Sequence, residues 1–290
     1  SWICILMVLL SLLPLLLALR NLGRGMTREK ARQYAMLAAA IFAAQMLNFP
    51  VAGGTSGHFL GAALAVMLFG VDAAVLIIAS VLLVQAAAFG DGGMLTLGAN
   101  IFNMAVVGGY AAHFAYQKTN NRFIASWASV VAASLSCALL LGVSGTVMLV
   151  PALIAMASVH AIIGVGEGMV TSVLLSCSRN RIITRVPGAL VFGACFFALA
   201  LLLPFASAEP DGLERIAINL GFYQNAMTIY AAPFADYALP LADTNLSALM
   251  AGLVGMVLVA AAMITVMTMM MRTPGGVPVV SAPDAAYRKE

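Results

Sequence analysis

Residues 123–166 contain no Asp, Glu, Lys or Arg, and neither do residues 2–19, 73–90 or 244–271. Runs of this length match a bilayer core, which a helix crosses with ~20 apolar residues. In hydrocarbon every backbone N–H and C=O needs a partner within the protein, so only helices and closed barrels span. Barrel strands alternate apolar and polar residues, and these runs do not. The chain therefore reads as an all-α polytopic membrane protein. Its composition agrees: of 290 residues, 63% are hydrophobic and 9% charged, where soluble domains carry about a quarter. The net charge of +3 is too small to point to a nucleic-acid partner.

Nine candidate spans follow: 2–22, 31–49, 58–70, 72–88, 95–117, 123–142, 148–175, 187–207 and 244–271. The third is short, so it is expected to begin inside the membrane. Eight form a body and the ninth a C-terminal helix. With the N-terminus outside, Arg20, Arg24, Arg28, Lys30, Arg32, Lys118, Arg122, Arg179, Arg181, Arg185, Arg272, Arg288 and Lys289 all fall on the cytoplasmic side. Arg215 alone lies outside, as the positive-inside rule favours. Residues 208–243 form the one long polar segment, read as a solvated, acid-rich extracytoplasmic loop with Glu209, Asp211, Glu214, Asp236 and Asp243. The chain thus divides into 1–207, a membrane-embedded body; 208–272, a loop with a last helix; and 273–290, a cytoplasmic tail expected to be disordered. No signal peptide is evident, because 2–22 is long enough to span and has no basic segment before it. Cys4, Cys137, Cys177 and Cys195 lie in or beside apolar runs without a CxxC pair, and read as small packing residues.

The stretch NFPVAGGTSGHFLG, 48–61, sets a Gly-rich polar loop between two apolar segments. Non-helical backbone at membrane depth is tolerated where protein buries it or it lines a wet cavity. His58 ends the loop. It reads either as an imidazole ligand to a transition metal, with Gly53, Gly54 and Gly57 letting the backbone wrap closely, or as a polar cap at a helix start. A second loop, FGDGGMLTLGAN at 89–100, lies at the same outer depth. Asn100 and Asn103 share a helix face. They either support the first loop and line a cavity or make plain interhelical hydrogen bonds. His160 and Glu167, seven apart, share a face of the seventh span. They read as a proton or cation relay, or as a structural network or partner-helix contact beside Gly164, Gly166 and Gly168; the latter is preferred. His113 sits near the cytoplasmic end of the fifth span and reads as interfacial. The 18 Met are scattered, and read as packing residues rather than a copper path. No GxxxxGK[ST] occurs, so the chain has no P-loop ATPase of its own. GVSG, 142–145, has the form of an intramembrane serine-protease motif. Ser144 and His160 are too far apart along the chain to form a dyad, so no enzyme activity is expected.

NFPVAGGTSGHFLG, VLLVQAAAFGDGGMLTLGANIFNMAVVG and VHAIIGVGEGMVT, in this order, resemble the CbiM/NikM family. These are substrate-binding components of energy-coupling-factor transporters for cobalt and nickel. The segment with Pro210-Asp211-Gly212-Leu213-Glu214 and Phe234-Ala235-Asp236-Tyr237 resembles the NikN-type PDGLE component, so the chain resembles a natural fusion of the two. The resemblance implies that Ni²⁺ or Co²⁺ is transported, not kept as a cofactor. It implies His58 as the loop ligand, with Thr55, Ser56, Asn100 and Asn103 around it. An N-terminal Met-His segment is implied to supply three further nitrogens. Here SWICILM resembles the start of the family's first helix, just after that segment, and truncation is expected. The implied partners are a transmembrane coupling subunit and ATPase subunits in a prokaryotic cytoplasmic membrane. The alternative function is a stand-alone divalent-cation transporter or channel using His160 and Glu167.

Overall fold

In the computed structural model, residues 2–23, 25–51, 54–178, 188–225, 230–241 and 243–272 are described. Arg24, Gly53, Arg179, Arg181, Arg185, the side chains of Cys177 and Arg272, and residues 273–290 lie outside this set.

Helix α1 (Trp2–Gly23) opens the chain, and α2 (Arg28–Gln45) returns behind an N-cap at Thr27, whose hydroxyl accepts from Lys30 N. Strands β1 (Phe49–Val51) and β2 (Thr55–Gly57) follow as an antiparallel hairpin pairing Pro50 with Ser56. The chain is mostly helical, as expected, and this short hairpin is its one departure among the described residues. A loop held within a membrane body must satisfy its backbone groups internally, and pairing two extended segments does so. Helix α3 (Ala62–Phe69) is only eight residues long and meets α4 (Val71–Val84) at Gly70. At 1.5 Å per residue α3 reaches about 12 Å, well short of a span.

Helix α4 ends in a π-helical turn, Gln85–Phe89. After the second Gly-rich loop, the short helix α5 (Leu97–Asn100) runs through another π-helical stretch, Ile101–Val107, into α6 (Gly108–Thr119). Helices α7 (Arg122–Val143) and α8 (Leu149–Ser178) form an antiparallel pair, followed by α9 (Gly188–Leu202). The 208–243 segment contributes a helix of its own, α10 (Gly212–Asn219), before the last helix, α11 (Thr244–Arg272). Among the described residues, five helices are long and apolar enough to cross a membrane: Trp2–Gly23, Val71–Phe89, Arg122–Val143, Leu149–Ser176 and Thr244–Met271.

The core lies where α2, α3, α4 and α11 meet. Phe42, Ile77, Ile78, Met256, Met263 and Met267 are buried there. Close approach needs small residues, since lipid gives helices little hydrophobic reason to associate. A Cβ on Gly255 would collide with the Phe42 ring, and one on Gly252 with the Leu199 side chain. These two glycines of α11 let it seat against α2 and α9. Helix α8 is drawn onto α7 in the same way, with Gly164 against Trp127 and Gly168 against Phe123. Gly164 and Gly168 of α8 are thus used within the chain, whereas a Cβ on Gly166 would meet open space.

Candidate metal site

A cavity of about 480 Å³ opens among the two Gly-rich loops, α7, α8 and the 208–243 segment. His58 reaches it from the link between β2 and α3, and His160 from α8. Gln45, Gln85, Asn100 and Asn103 add amide groups to its wall, and Asp91, Asp211, Glu214 and Asp236 add carboxylates. The π-helical stretches that start at Gln85 and contain Asn103 are both at the wall. Such stretches recur at functional sites because they re-aim side chains within a helix.

The His58 tautomer follows from its neighbour. His58 Nδ1 lies 3.2 Å from the Phe59 carbonyl oxygen, which only accepts. Nδ1 therefore carries a proton, and in the neutral ring Nε2 keeps its lone pair. That is the form in which an imidazole ligates a metal while its other nitrogen is held by a carbonyl. His160 is arranged alike, with Nδ1 2.9 Å from the Met156 carbonyl oxygen. Among the described residues no group of three or more His, Cys, Asp and Glu is disposed to hold a metal ion.

The other candidate residues fall as follows. Thr55 and Ser56 are buried, and their hydroxyls donate to the Pro210 carbonyl (3.1 Å) and the Glu209 carbonyl (2.7 Å). They tie the hairpin to the PDGLE segment. Asn103 Oδ1 accepts from Ser136 Oγ at 2.6 Å, an interhelical bond from a residue that also lines the cavity. Asn100 Nδ2 donates to the Gly92 carbonyl at 3.0 Å, closing the second loop on itself. Glu167 is buried on α8. Its two oxygens accept from Leu60 N (2.8 Å) and Gly61 N (2.9 Å). Ser144 caps the end of α7, bonded to the Leu141 carbonyl and to Thr146. His113 contacts Gln117 at 2.9 Å. Cys137 and Cys195 are free thiols.

The reading of 208–243 as a solvated acidic loop is corrected. Ser56 N donates to the Pro210 carbonyl at 2.8 Å, and Ser56 bridges to Asp211. Asp211 caps α10 by accepting from Glu214 N at 2.7 Å. Arg215 pairs with Glu209 at 2.8 Å and lies over Gly54, the left-handed turn residue of the hairpin. Further on, Tyr237 stacks on Phe89 at 4.7 Å and donates to Asp91 Oδ2 at 2.6 Å. Burial, and next the Asp91 charge, push the Tyr237 hydroxyl well above the ordinary phenol value, so it stays a donor. Tyr230 donates to the Ala87 carbonyl, and Phe234 N to that of Ala88. The acidic residues are thus spent on caps, pairs and the cavity wall.

Sequence reasoning missed Gln45, Gln85, Asp91 and Tyr237. The first two had a usable signal, since a polar residue inside an apolar run is a functional candidate by default. The Asp91–Tyr237 pair, 146 residues apart, had none.

Residues 1–181 match the family described as the cobalt uptake substrate-specific transmembrane region, CbiM, and residues 185–272 match the PDGLE domain. A protein of Archaeoglobus fulgidus named for fused nickel transport, NikMN, is 36% identical over 273 residues, 85% of this chain and 90% of that one. The cobalt transport protein CbiM of Sorangium cellulosum is 30% identical over 195 residues, 63% of this chain and 76% of its own length. A crystal structure of a transition metal transporter is similar at a TM-score of 0.56 and 27% identity, covering 61% of this chain and 88% of that one. The chain belongs to the CbiM family of cobalt-uptake transmembrane proteins and carries a PDGLE domain fused behind the CbiM region.

Proposed function

We propose that this chain is the substrate-specificity component of an energy-coupling-factor importer for Ni²⁺ or Co²⁺. The metal is its cargo. The observation that carries the reading is His58: an imidazole on the cavity wall, with Nδ1 tied to a backbone carbonyl and Nε2 left to bind. The cavity far exceeds one ion, since even a water molecule takes about 30 Å³. It has room for a peptide carrying further donors. In this reading they come from the N-terminal Met-His segment that the family resemblance implies. The packing of α1 is consistent with it: near the middle of the helix, Ser11 donates to the Gly98 carbonyl at 2.9 Å, beside the loop that lines the cavity. Four nitrogens in a plane suit Ni²⁺, and Co²⁺ accepts them too.

The PDGLE segment covers the same cavity from outside. In this reading the chain crosses the cytoplasmic membrane nine times with its N-terminus outside, and a coupling subunit with ATPase subunits supplies the energy. A relay through Glu167 finds no support, because both its oxygens are engaged by backbone N–H groups and it does not line the cavity.

The test is calorimetry with Ni²⁺ and Co²⁺ on the purified chain, with and without an added Met-His N-terminus, and with His58→Ala. Tight binding that needs both His58 and the Met-His segment is the expected result. Binding indifferent to His58 refutes the site.

A further inference from the structure

Glu167 has a position that stabilising α3 does not fully explain. The peptide unit joining Phe59 to Leu60 is engaged at both ends. Its carbonyl accepts from His58 Nδ1 at 3.2 Å, and its N–H donates to Glu167 Oε2 at 2.8 Å. One rigid plane therefore connects the carboxylate to the ring that faces the cavity. The same carboxylate accepts from Gly61 N through Oε1 at 2.9 Å, and Gln45 Nε2 donates to the Leu60 carbonyl at 2.8 Å. Phe59, Leu60, Glu167 and Gln45 are all buried, and the two bonds to Glu167 lie away from the cavity wall.

We infer that Glu167 is a positioning residue for metal capture, orienting and tuning His58 through the Phe59–Leu60 peptide. The inference rests on the proposed role of His58. A carboxylate bonded to the N–H end polarises the peptide, because bonds in a chain strengthen one another. The carbonyl end becomes a better acceptor for the Nδ1 proton. That holds His58 in the tautomer with Nε2 unprotonated and makes Nε2 a stronger donor to a metal. Carboxylates in metal sites commonly act on an imidazole directly; here a peptide unit stands between. The chemistry also explains a carboxylate at this place. Two N–H groups need two acceptors, and the Gln amide offers one acceptor and one donor.

The experiment uses the full chain in detergent with ¹⁵N-labelled histidine, of which there are three. The His58 signal is assigned by its loss in His58→Ala. In the wild type, His58 is expected as the Nδ1–H tautomer and, in a second sample carrying ¹⁵N-leucine, the Leu60 amide is expected to be protected from hydrogen exchange. In Glu167→Gln the tautomer preference is expected to weaken. Ni²⁺ affinity of the chain bearing the Met-His segment is expected to fall about 10–100-fold, the usual effect of losing an outer-shell partner.

Were Glu167 only a cap for α3, Glu167→Gln would lower thermal stability and leave both the His58 tautomer and Ni²⁺ affinity unchanged; that result overturns the inference. If Glu167→Gln does not fold, the wild type still decides. An Nε2–H tautomer at His58, or fast exchange at the Leu60 amide, overturns it as well. Loss of Ni²⁺ binding in His58→Ala but not in Glu167→Gln sinks this inference alone. Unchanged binding in His58→Ala removes the site itself.

Discussion

The two Gly-rich loops that line the cavity differ in how deeply they are set and how they are held. The first, around His58, is keyed by a backbone bond, by two buried hydroxyls and by tight packing. Its hairpin carries Thr55, Ser56 and Gly57 fully into the interior. A Cβ on Gly57 would lie 2.7 Å from Ile163 Cγ1, and one on Gly61 2.8 Å from Ile41 Cγ2. The second, around Asp91, is largely exposed, and side chains hold it to the PDGLE segment. The lesson is that the wall bearing the imidazole is fixed by many small constraints. The wall facing it hangs on a few groups that single substitutions remove.

Gly61→Ala tests the first half of that comparison with the largest expected effect. Gly61 has φ +80°, and the added methyl also meets Ile41. Left-handed strain and overpacking together cost roughly 2–5 kcal/mol, read as a drop in thermal unfolding temperature in detergent. Gly90→Ala, at φ +74° with Ala232 Cβ 3.4 Å away, is expected to cost only the strain, about 1–2 kcal/mol. Equal losses at the two glycines would break the contrast.

Tyr237→Phe tests the second half. It removes the bond to Asp91, a hydrogen bond to a charged group of about 1.5 kcal/mol. Protease cleavage at 90–96 is expected to accelerate while the His58 hairpin stays protected. Ser56→Ala removes only one bond, of about 1 kcal/mol, because Ser56 N still pairs with the Pro210 carbonyl. Cleavage near the hairpin is expected to change little, and a rise as large as that from Tyr237→Phe would refute backbone keying.

The smallest expected effect is in pH. The folded Tyr237 hydroxyl titrates above the ordinary value of 10.0. The folded state therefore holds its proton where the unfolded chain has released it. Stability from this group is constant below pH 10 and declines as pH rises above it. A phenolate titration followed by absorbance is expected to show Tyr237 ionising late, a feature that Tyr237→Phe deletes. Tyr237 ionising with the exposed tyrosines would mean that its contact with Asp91 is not held in solution.

Much of the helical framework was legible. Apolar runs between charges mark the helices because hydrocarbon selects residue type over ~20 consecutive positions. The loop at 48–61 stood out for the same reason, being polar where apolar residues belong. Thr55 and Ser56 were read as neighbours of a bound metal, whereas their hydroxyls face the carbonyls of Pro210 and Glu209, 155 and 153 residues away. Gln45 lies unremarked inside the expected span 31–49, yet it holds the Leu60 carbonyl.

The sequence by itself determined the solvent in which this chain folds and most of its helices, and it set one imidazole, His58, in a polar loop between apolar runs. Each is a property of local composition, which a bilayer reads residue by residue. Tertiary structure alone decided what surrounds that imidazole. It brought Glu167 to the Leu60 N–H across 107 residues and Tyr237 to Asp91, and it made a cavity wall of a segment that looked like a solvated loop. Hydrogen bonds reach only about 3 Å and carry no signature along the chain, so only the packed helices could bring these partners together.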